Sequence, residues 1–232
     1  MHLSMIRHII FAAGLAVLSA LAACTPQSSA LMALVPDGTL PILLSHLEGV
    51  DDNNRQRLAE FERRGDWNGL ARFAEENLAL DRSSADWWTV AGYAYSRLGQ
   101  YPRAIECYNE VVRLAPDEIT GWNLLAQAWR ASGQPRRAIA TLDNALLIRK
   151  DAPVTFYLLG ESYSDLGSLR PAVDAYQQAL KLNQDFAQAW FGMGRAYVRQ
   201  QRYAEASDIV KALEKLDPGL AAELSKLLPQ HK

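Results

Sequence analysis

The sequence predicts an all-α solenoid, because it repeats itself every 34 residues. Five segments, beginning at Asp51 and ending at Leu220, align in one register without a gap. Two columns of this alignment are aromatic: they contain Trp88, Trp122, Phe156 and Trp190, and Tyr95, Trp129, Tyr163 and Tyr197. Two further columns are small: they contain Gly92, Ala126, Gly160 and Gly194, and Ala104, Ala138, Ala172 and Ala206. A fixed period of this length is typical of solenoids, whose repeats bury their apolar faces against one another.

Each repeat is predicted to form a helix, a turn and a second helix. In residues 85–118 the first helix ends near Gly99, which can adopt the left-handed conformation that closes a helix. Pro102 lies at the start of the second helix, Leu114 ends it, and Pro116 starts the connection to the next unit. The small columns allow the two helices to approach closely, and the aromatic columns are expected to be core between repeats.

The repeats resemble those of the tetratricopeptide repeat family, which implies a right-handed α-solenoid. The motif residues are Trp88, Gly92, Tyr95, Ala104, Tyr108 and Pro116. Other repeats depart from the motif at Ala126, Leu142, Lys150, Gln184 and Val210, and none of these residues breaks a helix. The predicted repeats are 51–84, which is degenerate, then 85–118, 119–152, 153–186 and 187–220.

The two ends of the solenoid are predicted to be covered by short helices. Residues 37–50 carry leucines at helical spacing and are interpreted as an N-terminal capping helix, with a strap or partner-binding element as the alternative. Residues 221–232 are interpreted as a C-terminal capping helix and tail. Terminal repeats need such covers because one of their faces has no neighbour.

The N-terminus has the pattern of a secretory signal. Arg7 precedes an apolar run, and the run ends in Leu21-Ala22-Ala23-Cys24. This ending resembles the bacterial lipobox, which implies cleavage of residues 1–23 and acylation of Cys24, followed by a tether over 24–36. Thr25 departs from the aspartate that favours inner-membrane retention, so the resemblance implies the periplasmic face of the outer membrane. The alternative is an ordinary signal peptide or membrane anchor with an incidental cysteine.

The sequence offers no pattern for catalysis, a metal or a cofactor. The four histidines are His2, His8, His46 and His231, and none lies in a cluster with metal-ligand spacing. A formal net charge of −2 gives no reason to expect a nucleic-acid partner. Cys107 is expected to be a partly buried, small hydrophobic residue. We therefore predict a binding protein and not an enzyme.

The resemblance implies that the first helices line a concave groove that binds a protein or peptide partner. The candidate groove residues lie outside the packing columns: Thr89, Tyr93, Arg97, Asn123, Gln127, Arg130, Tyr157, Glu161, Phe191, Arg195 and Arg199. Aromatic anchors, amides and arginines are suited to peptide recognition. Tyr157 and Phe191 are expected to be exposed anchors. The alternative is a solvated groove, with binding on the convex face or the helix edges.

Together these features predict a membrane-anchored periplasmic adaptor that serves cell-envelope assembly. One version resembles the pilotin-type lipoproteins of type IV pili, which localise a secretin. Another resembles lipoproteins that recruit peptidoglycan enzymes. A third alternative is a self-associating structural scaffold, and the sequence leaves the oligomeric state open.

Overall fold

The computed structural model describes Leu47 and residues 49–229, and all regular structure in this part of the chain is α-helical. The signal peptide, Cys24, the tether and most of the predicted N-terminal cap lie outside the described residues. The helices are α1 Asp52–Arg64, α2 Trp67–Leu80, α3 Ala85–Arg97, α4 Tyr101–Leu114, α5 Ile119–Ala131, α6 Pro135–Ile148, α7 Pro153–Asp165, α8 Leu169–Leu182, α9 Ala187–Arg199, α10 Tyr203–Leu216 and α11 Pro218–Lys226.

The predicted all-α solenoid is confirmed. Each helix packs against the next one along the chain, and α7 also contacts the first helices of the two adjacent repeats, α5 and α9. The four columnar alanines of the second helices are fully buried. Their small side chains let the second helix lie close to its neighbours, as the sequence predicts.

The turn inside each repeat depends on one left-handed residue. Gly65, Gly99, Gly133 and Gly167 have φ between 65° and 75° and follow each other at the 34-residue period. Gln201 occupies the same place in the last repeat with φ 60°. An L-residue with a side chain is disfavoured in this conformation because its Cβ crowds the following carbonyl oxygen.

We expect Gln201→Gly to stabilise the protein by about 0.5–1 kcal/mol. The substitution removes the left-handed strain of roughly 1–2 kcal/mol, and the added freedom of glycine in the unfolded chain offsets part of the gain. Urea denaturation of the purified protein measures the change. The reciprocal variant Gly167→Gln is the matched control and should lose a similar amount. A loss of stability in Gln201→Gly would contradict the argument.

The first aromatic column is half-buried rather than the enclosed core that we expected. The tryptophans in this column are partly buried and pack against the core. Trp88, Trp122 and Trp190 donate Nε1–H to the carbonyl six residues earlier, at 2.8–2.9 Å. Each tryptophan therefore fixes the connection that enters its own repeat. Phe156 occupies the fourth position and has no N–H to donate.

The small column is matched to the second helix that it faces. A Cβ built on Gly92 would lie 2.6 Å from the ring of Tyr108, and one on Gly160 would lie 2.6 Å from Tyr176. Ala126 keeps its Cβ because the second helix of its repeat carries Leu142, not an aromatic ring, at the corresponding position. Gly92 and Gly160 thus each face a tyrosine of their own repeat, whereas Gly194 faces Leu224 of the C-terminal helix.

Both described ends of the solenoid are covered. Leu224 of α11 is fully buried and packs where a Cβ on Gly194 would lie, so α11 closes the last repeat. This helix begins at Pro218, three residues before the predicted start of the cap. At the other end Leu47 and Val50 are buried, and Arg55 donates to both of their carbonyls at 2.6–2.7 Å. Among the described helices, none is long and apolar enough to cross a bilayer.

Candidate functional site: the first-helix face

The predicted groove residues lie on α3, α5, α7 and α9, and many of them are not free. We call the surface on which these helices lie side by side the first-helix face. Thr89, Tyr93, Asn123 and Glu161 are buried, which corrects our expectation that they line an open groove. Asn123 and Glu161 lie on α5 and α7, which contact each other, and α7 also contacts α9. Thr89 is also satisfied within its own helix, since its hydroxyl donates to the Ala85 carbonyl at 2.8 Å.

Several of these residues form hydrogen bonds from one first helix to the next. The hydroxyl of Tyr93 donates to Glu62 of α1 at 3.1 Å. Thr155 of α7 donates to the Asn123 amide oxygen of α5 at 2.9 Å, in a fully enclosed site. Arg199 of α9 donates to the carbonyl of Ser164, on α7, at 2.8 Å, and to its hydroxyl at 2.9 Å. These bonds form a polar ladder that sets how adjacent repeats lie against each other.

Glu161 is the centre of the ladder. Its carboxylate accepts from the Tyr176 hydroxyl at 2.5 Å and from Arg130 Nη2 at 3.2 Å, and Arg195 Nη2 lies 3.7 Å away. Arg130 also donates from Nε to Asp165 at 2.8 Å. Burial by itself would lower the pKa of Arg130, but its bonds to the two carboxylates raise it above the usual value. Burial and the adjacent carboxylate of Glu161 raise the pKa of Tyr176.

Tyr157 and Phe191 are half-buried, so our expectation of two exposed anchors is wrong. The ring of Tyr157 lies 6.1 Å from that of Tyr176 and 5.2 Å from that of Phe186, which precedes α9. Burial is the main reason that the pKa of the Tyr157 phenol is raised. The guanidinium of Arg195 lies 5.6 Å over the Phe191 ring. Each ring therefore serves the packing and leaves only part of its surface to solvent.

The accessible remainder of the first-helix face is a narrow polar surface beside these rings. Arg195 keeps 40% of its side chain exposed and Asp165 keeps 42%. Gln127 lies in the same 34-residue column as Glu161 and Arg195, and Arg199 is exposed. Arg97 lies over the ring of Trp67, at 4.4 Å. The Gln127 amide and the half-exposed Arg195 guanidinium can form hydrogen bonds with a peptide. The exposed edges of the Tyr157 and Phe191 rings can contact its side chains.

Sequence reasoning missed a trough between α2 and α4. It consists of two adjoining cavities of about 380 and 370 Å³, and both are lined by Glu75, Tyr95 and Arg103. Arg103 donates to Glu75 at 2.7 Å and lies 3.9 Å over the Tyr95 ring, and the Tyr95 hydroxyl also donates to Glu75. We call this surface the second-helix trough.

A single small residue in the sequence marks the trough. Ala91 lines the larger cavity, whereas the same column holds Leu125, Leu159 and Met193 in the next three repeats. Those three side chains are larger than that of Ala91, and all three are buried. A comparison of columns for an unusually small member, rather than for shared residues, would have located this cavity.

The trough contains Cys107 but is not a nucleophilic site. The residue is buried, as predicted, and burial raises the pKa of its thiol to about 12. The thiolate is the reactive form of cysteine, so this side chain is a poor nucleophile near neutral pH. In residues 49–229, no cluster of three or more histidine, cysteine or acidic side chains is arranged to hold a metal ion.

The succession of packed helix pairs defines a helical-repeat protein. The sequence profile described as tetratricopeptide repeat matches residues 89–153 and 157–221. The chain therefore belongs to the tetratricopeptide repeat family. Proteins with this fold are generally non-enzymatic scaffolds that bind protein or peptide partners.

Solved structures share the fold at low sequence identity. A MamA fragment from Desulfovibrio magneticus RS-1 is 21% identical with a TM-score of 0.61, covering 71% of this chain and 93% of its own. TTC0263, a thermophilic TPR protein of Thermus thermophilus, is 19% identical with a TM-score of 0.60, covering 74% and 95%. YrrB, described as a TPR protein with an unusual peptide-binding site, is 19% identical with a TM-score of 0.55, covering 73% and 88%. A comparison with curated proteins finds no match.

Proposed function

We propose that this protein is a membrane-anchored periplasmic adaptor that binds a protein or peptide partner on its first-helix face in cell-envelope assembly. The binding role is supported by the half-exposed guanidinium of Arg195, which lies over the Phe191 ring. Gln127 occupies the same column of the repeat. The ladder holds these groups on a rigid support, so little conformational freedom is lost when a partner binds. The peptide-binding site named for YrrB gives this proposal a precedent within the fold.

Photo-crosslinking in cells tests the site of binding. A benzoylphenylalanine introduced in place of Gln127 should crosslink to a second protein, because this position lies within the proposed binding surface. The same substitution at Gln177, an exposed residue of the second helix α8, is the matched control. Equal crosslinking from both positions would place binding elsewhere. A product that contains only this chain would favour the self-associating scaffold.

We expect Arg195→Gln to weaken binding of that partner by about 2 kcal/mol, the usual scale for an arginine hot spot. The variant keeps the fold, because Arg195 is half-exposed and its separation from Glu161 is long. Arg202→Gln is the matched control, since Arg202 lies at the start of α10 and pairs with Glu205. Crosslink yield from position 127 measures the effect. An unchanged yield in Arg195→Gln would remove this residue from the site.

The proposal of a lipid anchor is based on the sequence around Cys24. If Leu21-Ala22-Ala23-Cys24 is a lipobox, the acylated cysteine is the first residue of the mature protein. Two or three acyl chains give stable anchoring, whereas one chain gives only marginal binding. The outer membrane is proposed because Thr25, and not an aspartate, follows the cysteine.

We expect Cys24→Ser to leave residues 1–23 uncleaved at this site and to remove the lipid. Metabolic labelling with a clickable fatty acid and intact-mass analysis of the purified protein measure both changes. Cys107→Ser is the control, because it changes the other cysteine of the chain without touching the lipobox. Labelling that persists in Cys24→Ser, or is lost in Cys107→Ser, would contradict the lipoprotein assignment.

A further inference from the structure

The second-helix trough has the dimensions of a short peptide segment. Its lining runs along α2 from Asn68 to Leu78, and from Gln100, which precedes α4, along that helix to Glu110. Ten residues of helix span about 15 Å, which accommodates roughly four to five residues of extended chain. The trough is open to solvent along this length and shares no lining residue with the first-helix face, so it is separate from the site proposed above.

The larger cavity has an apolar floor and an acidic rim. Leu78, Trp88 and Ala91 form the floor, and the Trp88 ring is held in place by its bond to the Arg82 carbonyl. Glu75, Glu106 and Glu110 line the rim against the single guanidinium of Arg103.

The rim carboxylates are not equally neutralised. Arg103 pairs with Glu75 at 2.7 Å, and Arg113 pairs with Glu110 at 2.8 Å. Glu106 forms no ion pair with any residue in the described part of the chain. The cavity therefore carries excess negative charge directly above an aromatic and aliphatic floor.

We propose that the second-helix trough is a second docking site, which binds a basic segment of a protein partner through a lysine or arginine side chain in the cavity beside Ala91. The methylenes of such a side chain fit the floor, and its cation lies between Trp88 and the carboxylates of Glu106 and Glu110. Both contacts favour a cation, one through the ring quadrupole and the other through opposite charge. An apolar side chain could contact the floor but would have no charge for the carboxylates, and an acidic side chain would be repelled by them.

Ala91 provides a direct test, because the next repeats show which residue closes the cavity. Ala91→Leu introduces the side chain that the same column already carries at positions 125 and 159, where it is buried. The probe is fluorescein-labelled Ala-Lys-Lys-Ala-amide, titrated with the full-length protein and followed by fluorescence anisotropy. Ala-Glu-Glu-Ala-amide with the same label is the charge control.

The lysine peptide should bind at least tenfold more tightly than the glutamate peptide, and Ala91→Leu should abolish that difference. Glu106→Gln, an exposed change that leaves packing intact, should weaken binding at least threefold, whereas Glu214→Gln on α10 should not. Arg195→Gln should also leave peptide binding to the trough unchanged. The experiment can therefore disprove the second-helix trough as a docking site without affecting the proposed function of the first-helix face, and the reverse also holds.

Equal affinity for the two peptides, or full affinity in both Ala91→Leu and Glu106→Gln, would overturn the second site. Competition by lysinamide as strong as that by the peptide would show a free amine as the ligand and would overturn the peptide assignment. If Ala91→Leu lost its helical circular dichroism, Glu106→Gln and its control would still decide the result.

Discussion

Glu161→Gln is expected to lower the free energy of unfolding by about 2–3 kcal/mol. The substitution removes the charge that faces Arg130 and Arg195 in a site where the Glu161 side chain is only 12% exposed and that of Arg130 only 20%. Removing one partner of a buried ion pair usually costs about 3–5 kcal/mol, because the other charge stays buried without compensation. Arg130 keeps Asp165 as a partner, so we expect a value at or below the lower end of that range.

Denaturation by urea of the variant and of Asp208→Asn measures this effect. Asp208 pairs with Lys211 on an exposed surface, where its side chain is 75% accessible, and such pairs contribute little. The acid-to-amide change is the same in both variants, so the difference between them reports burial. Similar losses in the two variants would contradict the view that Glu161 organises the ladder.

Gly92→Ala is expected to destabilise the protein by about 1–2 kcal/mol, although alanine is the better helix former. The added methyl group would lie 2.6 Å from the ring of Tyr108, which is enclosed by the core. Overpacking of this kind typically costs about 1–3 kcal/mol, and the helix preference of alanine returns about 1 kcal/mol. Thermal or urea unfolding measures the net change.

The third repeat suggests the compensating change, because it combines Ala126 with Leu142. In the Tyr108→Leu background, Gly92→Ala should no longer destabilise and should stabilise by up to about 1 kcal/mol. This double-mutant cycle isolates the contact between the two positions. Additive losses in the double variant would show that the methyl group clashes with something other than the tyrosine ring.

The sequence was sufficient for the fold, because periodic columns encode packing between neighbours. The left-handed turn at Gly99 and the burial of Cys107 followed from local chemistry. The burial and pairing of the polar residues on the first-helix face could not be predicted from periodicity. Asn123 and Glu161 look like outward polar residues within one repeat. A neighbouring repeat supplies Thr155, which binds Asn123, and Arg130, which binds Glu161.

The two errors about aromatic residues have a related cause. Trp122 has the periodicity of a core residue, but it is only half-buried. Its indole N–H donates to the Pro116 carbonyl at an exposed position. Tyr157 lies outside the packing columns, yet its ring finds Tyr176 and Phe186 between two repeats. Periodicity reports which helix face a residue occupies, and it does not report how far a large side chain extends from that face.

The missing indole at Phe156 has a mechanical consequence for the solenoid. Three connections between repeats are fastened by a tryptophan, while the connection leading into α7 has no such fastening. At the same joint, Arg130 and Asn123 bind α5 to α7 through Glu161, Asp165 and Thr155. We therefore expect the connection into α7 to move more than the other three, while the polar ladder keeps α5 and α7 together.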